Sequence, residues 1–144
     1  MEKRKYNTYS FEKLDVWKLA RQFKSDIYKV SQGFPRSEWF GLTSQMRRAA
    51  SSMTSNLAEG SGRATSKDQA YFTNMAYASA LETVDHLITA KDLDFIDDTT
   101  YDSLRTQIDP IIAKLNGLYR YQLHNARNLK SHLRDQNQTP QRKD

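Results

Sequence analysis

The chain of 144 residues contains no cysteine, few prolines and glycines, and no long apolar run. The absence of cysteine excludes disulfide bridges and thiolate metal sites within this chain. No segment approaches the roughly 18 consecutive apolar residues of a membrane-spanning helix. The N-terminal segment MEKRKYNTYS lacks the apolar stretch of a secretory signal. With 38% hydrophobic and 27% charged residues, we expect one soluble, cytoplasmic domain with no membrane partner.

The net charge of +5 at pH 7 is distributed unevenly along the chain. Basic residues are in excess before residue 11 and after residue 123, whereas residues 82–109 are rich in aspartate. A basic excess at both ends favours a polyanionic partner, most plausibly nucleic acid. The alternative is that the charged ends only keep the protein in solution.

The stretch from Gly41 to Arg63 organises the rest of the chain. Its apolar residues recur at helical spacing and form one stripe: Leu42, Met46, Ala49, Met53 and Leu57. Small residues line this stripe, so a neighbouring helix can approach closely. Gly60 and Gly62 are expected to end the helix as C-cap glycines do.

The same periodicity predicts three further helices. The first begins near Ser10 and has one apolar stripe, formed by Val16, Ala20, Phe23, Ile27 and Val30. The third runs from about Lys67 to Leu93 with Ser66 as its N-cap. The third helix has two apolar stripes, which indicate burial on two sides. One stripe is Phe72, Ala76, Ala80 and Leu87, and the other is Tyr77, Leu81, Val84 and Ile88. The fourth helix follows Asp97-Asp98-Thr99, and we expect Pro110 to kink or restart it.

These four helices predict an all-α fold, an antiparallel up-down-up-down four-helix bundle. The bundle is expected to span residues 11–123. A flexible basic arm, residues 1–10, would precede it. A polar, basic and largely disordered tail, residues 124–144, would follow it.

Several short motifs occur in a fixed order between about Phe11 and Tyr119. They are Leu14-Asp15-Val16-Trp17 with Ala20, Phe34-Pro35 with Glu38, Leu42-Thr43-Ser44-Gln45, Arg47-Arg48-Ala49, Ser52, Ser55-Asn56-Leu57-Ala58-Glu59-Gly60, and Phe72, Ala76 and Ser79 with Leu81-Glu82-Thr83. In these motifs the sequence resembles the four-helix-bundle family that includes the 23S ribosomal RNA intervening-sequence proteins. The accessory variability determinant of diversity-generating retroelements belongs to the same family. The sequence departs from the family at Tyr77-Ala78, where Arg-Gly is common, and in its long polar tail.

The resemblance implies a ring-like homo-oligomer, a homopentamer around a central channel. It also implies association with RNA or with a partner protein, rather than catalysis. The residues themselves show no catalytic pattern. His86, His124 and His132 have no paired-ligand spacing, and the aspartates of residues 92–98 lack the glycine and terminal glutamate of a calcium loop. We therefore expect no enzyme activity, no metal and no cofactor.

Candidate nucleic-acid contacts are basic residues of the arm, the second helix, the link after it and the C-terminal part. They are Lys3, Arg4, Lys5, Arg47, Arg63, Lys67, Arg120, Arg127, Lys130 and Arg134. Because phosphate contacts dominate this kind of binding, we expect RNA or DNA to bind with little sequence specificity.

A second polar set is expected inside the bundle: Arg48, Asn56, Glu59 and Glu82. Arg47 or Arg48 would meet Glu82 across the second and third helices, since a buried charge needs a partner. The preferred interpretation is a structural network that sets register or a subunit interface, and the alternative is a ligand site.

Together these patterns predict a non-catalytic, oligomeric accessory protein that binds structured RNA or other nucleic acid electrostatically. The alternative is a scaffolding oligomer that binds a partner enzyme such as a reverse transcriptase.

Overall fold

The structure, a computed structural model, describes residues 3–136, with side chains described for residues 3–126. The four α-helices are Asp15–Ser31 (α1), Ser44–Ser61 (α2), Ser66–Asp92 (α3) and Asp98–Gln136 (α4). The shorter elements are two 3-10 helices, Ser10–Lys13 and Arg36–Glu38, and a π-helical turn, Trp39–Thr43. No strand occurs in the described part. The predicted all-α fold with four helices is confirmed.

All four helices contribute to one apolar core. The predicted stripe of α1 is buried at Val16, Ala20, Phe23 and Ile27 and half-buried at Val30. The largest completely buried apolar side chains are Phe23, Ile27, Met46, Met53, Leu87, Ile108, Ile111 and Leu115. Burying one side chain of this size stabilises the fold by about 1.5–3 kcal/mol. None of the helices in residues 3–136 is long and apolar enough to cross a membrane.

The end of α2 differs from the sequence prediction. Gly60 lies inside the helix, and Gly62 is the C-cap but has right-handed helical geometry (φ −85°) instead of a left-handed one. A Cβ built on Gly60 would lie 2.9 Å from the Cβ of Phe72 on α3. Because Gly60 lies inside α2, the prediction that it terminates the helix is wrong. This glycine instead allows α3 to approach α2 closely.

The N-cap of α3 is Thr65, one residue before the predicted Ser66. The Thr65 hydroxyl accepts a hydrogen bond from the backbone N–H of Asp68 at 3.2 Å, while Ser66 is already helical. Of the two apolar stripes predicted for α3, Ala76, Ala80 and Leu87 are buried. The other stripe is only partly buried, because Tyr77 and Val84 pack against the core whereas Leu81 is 47% exposed and Ile88 is 40% exposed.

The fourth helix is longer than predicted. It continues through Pro110 without a restart and extends past residue 123 to Gln136, the last described residue. The prediction of a disordered tail is therefore wrong for residues 124–136, whose backbone is helical. The remainder of that tail, residues 137–144, lies outside the described residues. The flexibility of the arm at residues 1–10 stays a prediction.

Candidate nucleic-acid interface

Two adjoining grooves lie on the outer face of α1 and α2. The larger has a volume of about 730 Å³, and its lining residues are Lys18, Arg21, Gln22, Lys24, Ser25, Tyr28 and Ser51. The smaller has a volume of about 350 Å³, and its lining residues are Tyr28, Trp39, Phe40, Thr43, Ser44, Arg47 and Arg48. Tyr28 lines both grooves, and neither lining contains a carboxylate. We call the two grooves together the α1–α2 face.

The sequence explains why this face is basic. The core residues of α1 occupy one side of the helix, so Lys18, Arg21 and Ser25, three and four residues apart, share the opposite side. The stretch between Glu38 and Glu59, which forms nearly all of α2, contains no aspartate or glutamate. The α1–α2 face therefore has a positive potential that attracts anions.

Arg47 is fixed between two aromatic rings of this face. The central carbon of its guanidinium lies 4.7 Å from the ring centroid of Tyr28 and 5.1 Å from that of Trp39. Its Nε donates to the Ser31 hydroxyl at 2.8 Å, and one Nη donates to the backbone oxygen of Tyr28 at 3.2 Å. Arg47 thus organises the smaller groove, while its neighbour Arg48 is exposed to solvent.

The turn before α2 projects two aromatic side chains outward. The Glu38 carboxylate accepts a hydrogen bond from the backbone N–H of Leu42 at 3.1 Å. Gly41 has non-helical geometry, and a Cβ there would lie 2.7 Å from the same carboxylate. As a result α2 begins at Ser44 instead of at Gly41, and Phe40 is 92% exposed and Trp39 55% exposed.

The other predicted nucleic-acid contacts do not lie on the α1–α2 face. Lys3, Arg4 and Lys5 are exposed in the segment before Ser10. Arg63 and Lys67 are exposed near the α2–α3 link, and Arg120 is exposed on α4. The side chains of Arg127, Lys130 and Arg134 lie outside the described residues.

The chain segments that carry Arg63, Lys67 and Arg120 nevertheless meet at one place. A depression of about 220 Å³ is lined by residues that flank them, including Ser61, Gln69, Leu118 and Gln122. Arg63 is already engaged there: its guanidinium lies 4.4 Å from the ring centroid of Phe72 and pairs with Glu59 at 3.2 Å.

The predicted internal network of Arg48, Asn56, Glu59 and Glu82 does not form. Glu82 is 55% exposed and pairs with His86 at 3.3 Å, so the expected contact with Arg47 or Arg48 is wrong. Glu59 is also exposed. Only Asn56 is buried, and its side-chain amide donates to the backbone oxygen and the hydroxyl of Ser52, both at 2.9 Å.

The acidic residues of the α3–α4 link have local structural roles. The Asp97 carboxylate accepts a hydrogen bond from the backbone N–H of Thr100 at 2.7 Å and caps α4. This hydrogen bond lowers the pKa of Asp97 below its usual value. Asp98 pairs with Lys91, whose pKa is raised by that hydrogen bond.

The sequence interpretation missed most of the α1–α2 face, including Lys18, Arg21, Lys24, Trp39 and Phe40. Two signals in the sequence point to it. One is the helical spacing of the cations on α1, and the other is the absence of acidic residues between Glu38 and Glu59. Only the packing of α1 against α2 brings these groups together.

The sequence profile described as 23S rRNA-intervening sequence protein matches residues 12–117. The chain belongs to this family. The resemblance that the motifs predicted is therefore confirmed. The range matched to the 23S rRNA-intervening sequence proteins includes every residue that lines the α1–α2 face, but neither Lys3, Arg4 and Lys5 nor Arg120.

The fold is similar to that of a solved structure, a protein of unknown function from the S23 ribosomal protein family of Bacteroides thetaiotaomicron. The two chains share 20% sequence identity with a TM-score of 0.68, and the match covers 72% of this chain and 97% of the other. At this identity the likeness shows the fold alone. No curated protein matches the chain.

Proposed function

We propose that this member of the 23S rRNA-intervening sequence protein family is a non-catalytic accessory protein that binds RNA along the α1–α2 face. One observation carries the proposal: the two adjoining grooves are lined by Lys18, Arg21, Lys24, Arg47 and Arg48 and by no carboxylate. A continuous strip of cations is the electrostatic pattern that a phosphate backbone requires. The family name supports RNA over DNA as the partner.

Phosphate contacts would supply most of the binding free energy. The side chains of Lys18, Arg21 and Arg48 are exposed and can reach phosphate oxygens directly. The hydroxyls of Ser25, Ser44 and Ser51 line the same grooves as uncharged hydrogen-bond donors. Because these groups recognise the backbone and not base edges, we expect little dependence on sequence. The protein would meet such RNA in the cytoplasm.

We further propose a ring-like homo-oligomer of up-down-up-down bundles, the homopentamer that the family resemblance implies. Arg47 bonds to Ser31 and Lys24 to Thr54, so residue numbers rise along α2 as they fall along α1, which supports the up-down order. The exposed apolar side chains of Leu81 and Ile88, one above the other on α3, support contact with a second copy. An oligomer would multiply the α1–α2 face and strengthen binding to one RNA.

The test is binding of a labelled structured RNA across a salt series, on protein whose mass has been measured by light scattering. For wild type we expect the logarithm of affinity to fall linearly with the logarithm of salt concentration. The double variant Lys18→Glu, Arg48→Glu should bind about tenfold or more weakly at low salt and show a shallower slope. The matched control is Lys29→Glu, Lys114→Glu, which makes the same change in net charge at exposed residues that do not line the α1–α2 face. This control should lower the affinity for RNA much less.

Two results would contradict the proposal. A larger loss of RNA affinity in Arg63→Glu, Lys67→Glu than in Lys18→Glu, Arg48→Glu would place the RNA site at the α2–α3 link instead. No binding by wild type at low salt would reject RNA binding itself. The scaffolding alternative, with a partner enzyme such as a reverse transcriptase, would then replace it.

A further inference from the structure

We propose that the smaller groove of the α1–α2 face binds an unpaired nucleobase, so that the protein selects single-stranded or looped RNA over continuous duplex. This inference rests on the proposed RNA binding and specifies the class of RNA. Its observation is the pair of exposed aromatic side chains, Trp39 and Phe40, that line a cationic groove.

Both rings are largely exposed, and Phe40 is the most exposed of the large apolar side chains that the structure describes. Phe40 is 92% exposed and Trp39 is 55% exposed, although the core has buried apolar residues from all four helices. An exposed ring beside cations is the arrangement by which proteins stack unpaired bases while neighbouring phosphates are neutralised. Every base has a π-face, so such stacking needs no particular sequence.

Polar groups of the groove suit the edge of a base or its ribose. Arg48 is exposed, and the side chain of Ser44 is half-buried in the same lining. Arg47 is held between Tyr28 and Trp39, which orients the indole ring from one side. The indole ring of Trp39 would therefore already have a defined position in the groove before a base stacked on Phe40.

The turn that carries the rings is fixed before any ligand binds. The Glu38 carboxylate caps the backbone of Leu42, and Gly41 leaves room for that carboxylate. Little ordering of the backbone is then needed on binding, which favours affinity.

Duplex RNA would use the face differently. Its bases are stacked inside the helix and are not available to Trp39 or Phe40, whereas its phosphates can still reach Lys18 and Arg21. The structure therefore separates two contributions: the cations should act on any RNA, and the aromatic residues should act only on RNA with unpaired bases.

The experiment uses the full chain with Trp17→Phe, which leaves Trp39 as the single fluorescent tryptophan. The probes are an unstructured oligouridylate and a blunt RNA duplex with the same number of phosphates. We expect the single strand to quench Trp39 fluorescence and the duplex to leave it nearly unchanged. In that background, Phe40→Ala should weaken single-strand binding about tenfold, with duplex affinity and the salt slope unaltered.

The matched control is Tyr71→Ala, since Tyr71 is an aromatic residue of α3 that is 62% exposed and lines neither groove. Tyr71→Ala should alter the affinity for neither the oligouridylate nor the duplex. Equal affinity for both probes, with unchanged Trp39 fluorescence and no effect of Phe40→Ala, would overturn the base-binding groove and leave RNA binding intact. Failure of both probes to bind would instead reject the proposed function.

Discussion

Gly60 of α2 and Phe72 of α3 meet so closely that a Cβ on Gly60 would lie 2.9 Å from the Cβ of Phe72. The backbone oxygen of Gln69 would lie 3.5 Å from the Cβ added at Gly60. The contact is between main chain and the first side-chain carbon, so a rotamer change of Phe72 does not relieve it. The missing side chain at Gly60 therefore sets the distance between the two helices.

Gly60→Ala should lower the free energy of unfolding by about 1–3 kcal/mol, because the added methyl group forces α2 and α3 apart. Gly117→Ala is the matched control, because a Cβ at Gly117, inside α4, would have no atom within 4 Å apart from its neighbours and the backbone of its own helix. Alanine should be neutral there or stabilise the helix by up to about 1 kcal/mol. Urea unfolding monitored by circular dichroism measures both. Equal effects of the two substitutions would contradict the close approach.

Ser52→Ala should destabilise the protein by about 1–2 kcal/mol. The Ser52 hydroxyl accepts hydrogen bonds from the Asn56 amide and from the Ser79 hydroxyl, both at 2.9 Å, and so joins α2 to α3. Ser55→Ala serves as the comparison, since that exposed hydroxyl bonds only to carbonyls of its own helix. It should change stability by less than about 0.5 kcal/mol. A Ser52→Ala protein with the thermal midpoint of Ser55→Ala would show that the link contributes nothing.

Asp97 should make the stability of α4 dependent on acid pH. The hydrogen bond from Thr100 lowers the folded-state pKa below the value of 3.8 for the free side chain. The carboxylate therefore stabilises the fold at pH above that value, and this contribution is lost as pH falls through the folded-state pKa. Asp97→Ala should lower the thermal midpoint at pH 7, and its deficit relative to wild type should shrink in acid. A deficit that stays constant down to about pH 2 would argue against a titrating cap.

Leu81→Asp should dissociate the proposed oligomer while leaving the helical content unchanged. Leu81 is 47% exposed beside Ile88 on α3, and a charge buried there at a subunit contact would be unpaired. Leu93→Asp is the control, because Leu93 is 52% exposed at the C-cap of α3. Light scattering gives the mass of each variant. A monomeric wild type would contradict the oligomer directly.

The fold followed from the sequence wherever the signal was local. The spacing of Val16, Ala20, Phe23 and Ile27 predicted both α1 and its buried side, because helical periodicity depends only on neighbours along the chain. The errors occurred where tertiary contacts decide. Gly60 looked like a C-cap in the sequence, yet its role depends on Phe72, a residue of the next helix.

The candidate site was less predictable than the fold. Arg47 was predicted as a nucleic-acid contact and Arg48 as part of an internal network, and one of them was expected to pair with Glu82. In the structure Arg47 instead packs between Tyr28 and Trp39. The distribution of charge along the chain predicted binding mainly at its two ends. It does not indicate the α1–α2 face, because the cations of that face are spread over two helices and its lining contains no carboxylate.

The sequence by itself determined the four helices, the apolar core and the membership of the family. Each of these depends on the residue types and their spacing along the chain. Only the tertiary structure decided that Lys18 and Arg48 share one face, and that Phe40 stands in solvent beside Arg47. The physical reason is that a binding surface is a property of distances between helices, and those distances are set by packing contacts such as that of Gly60 with Phe72.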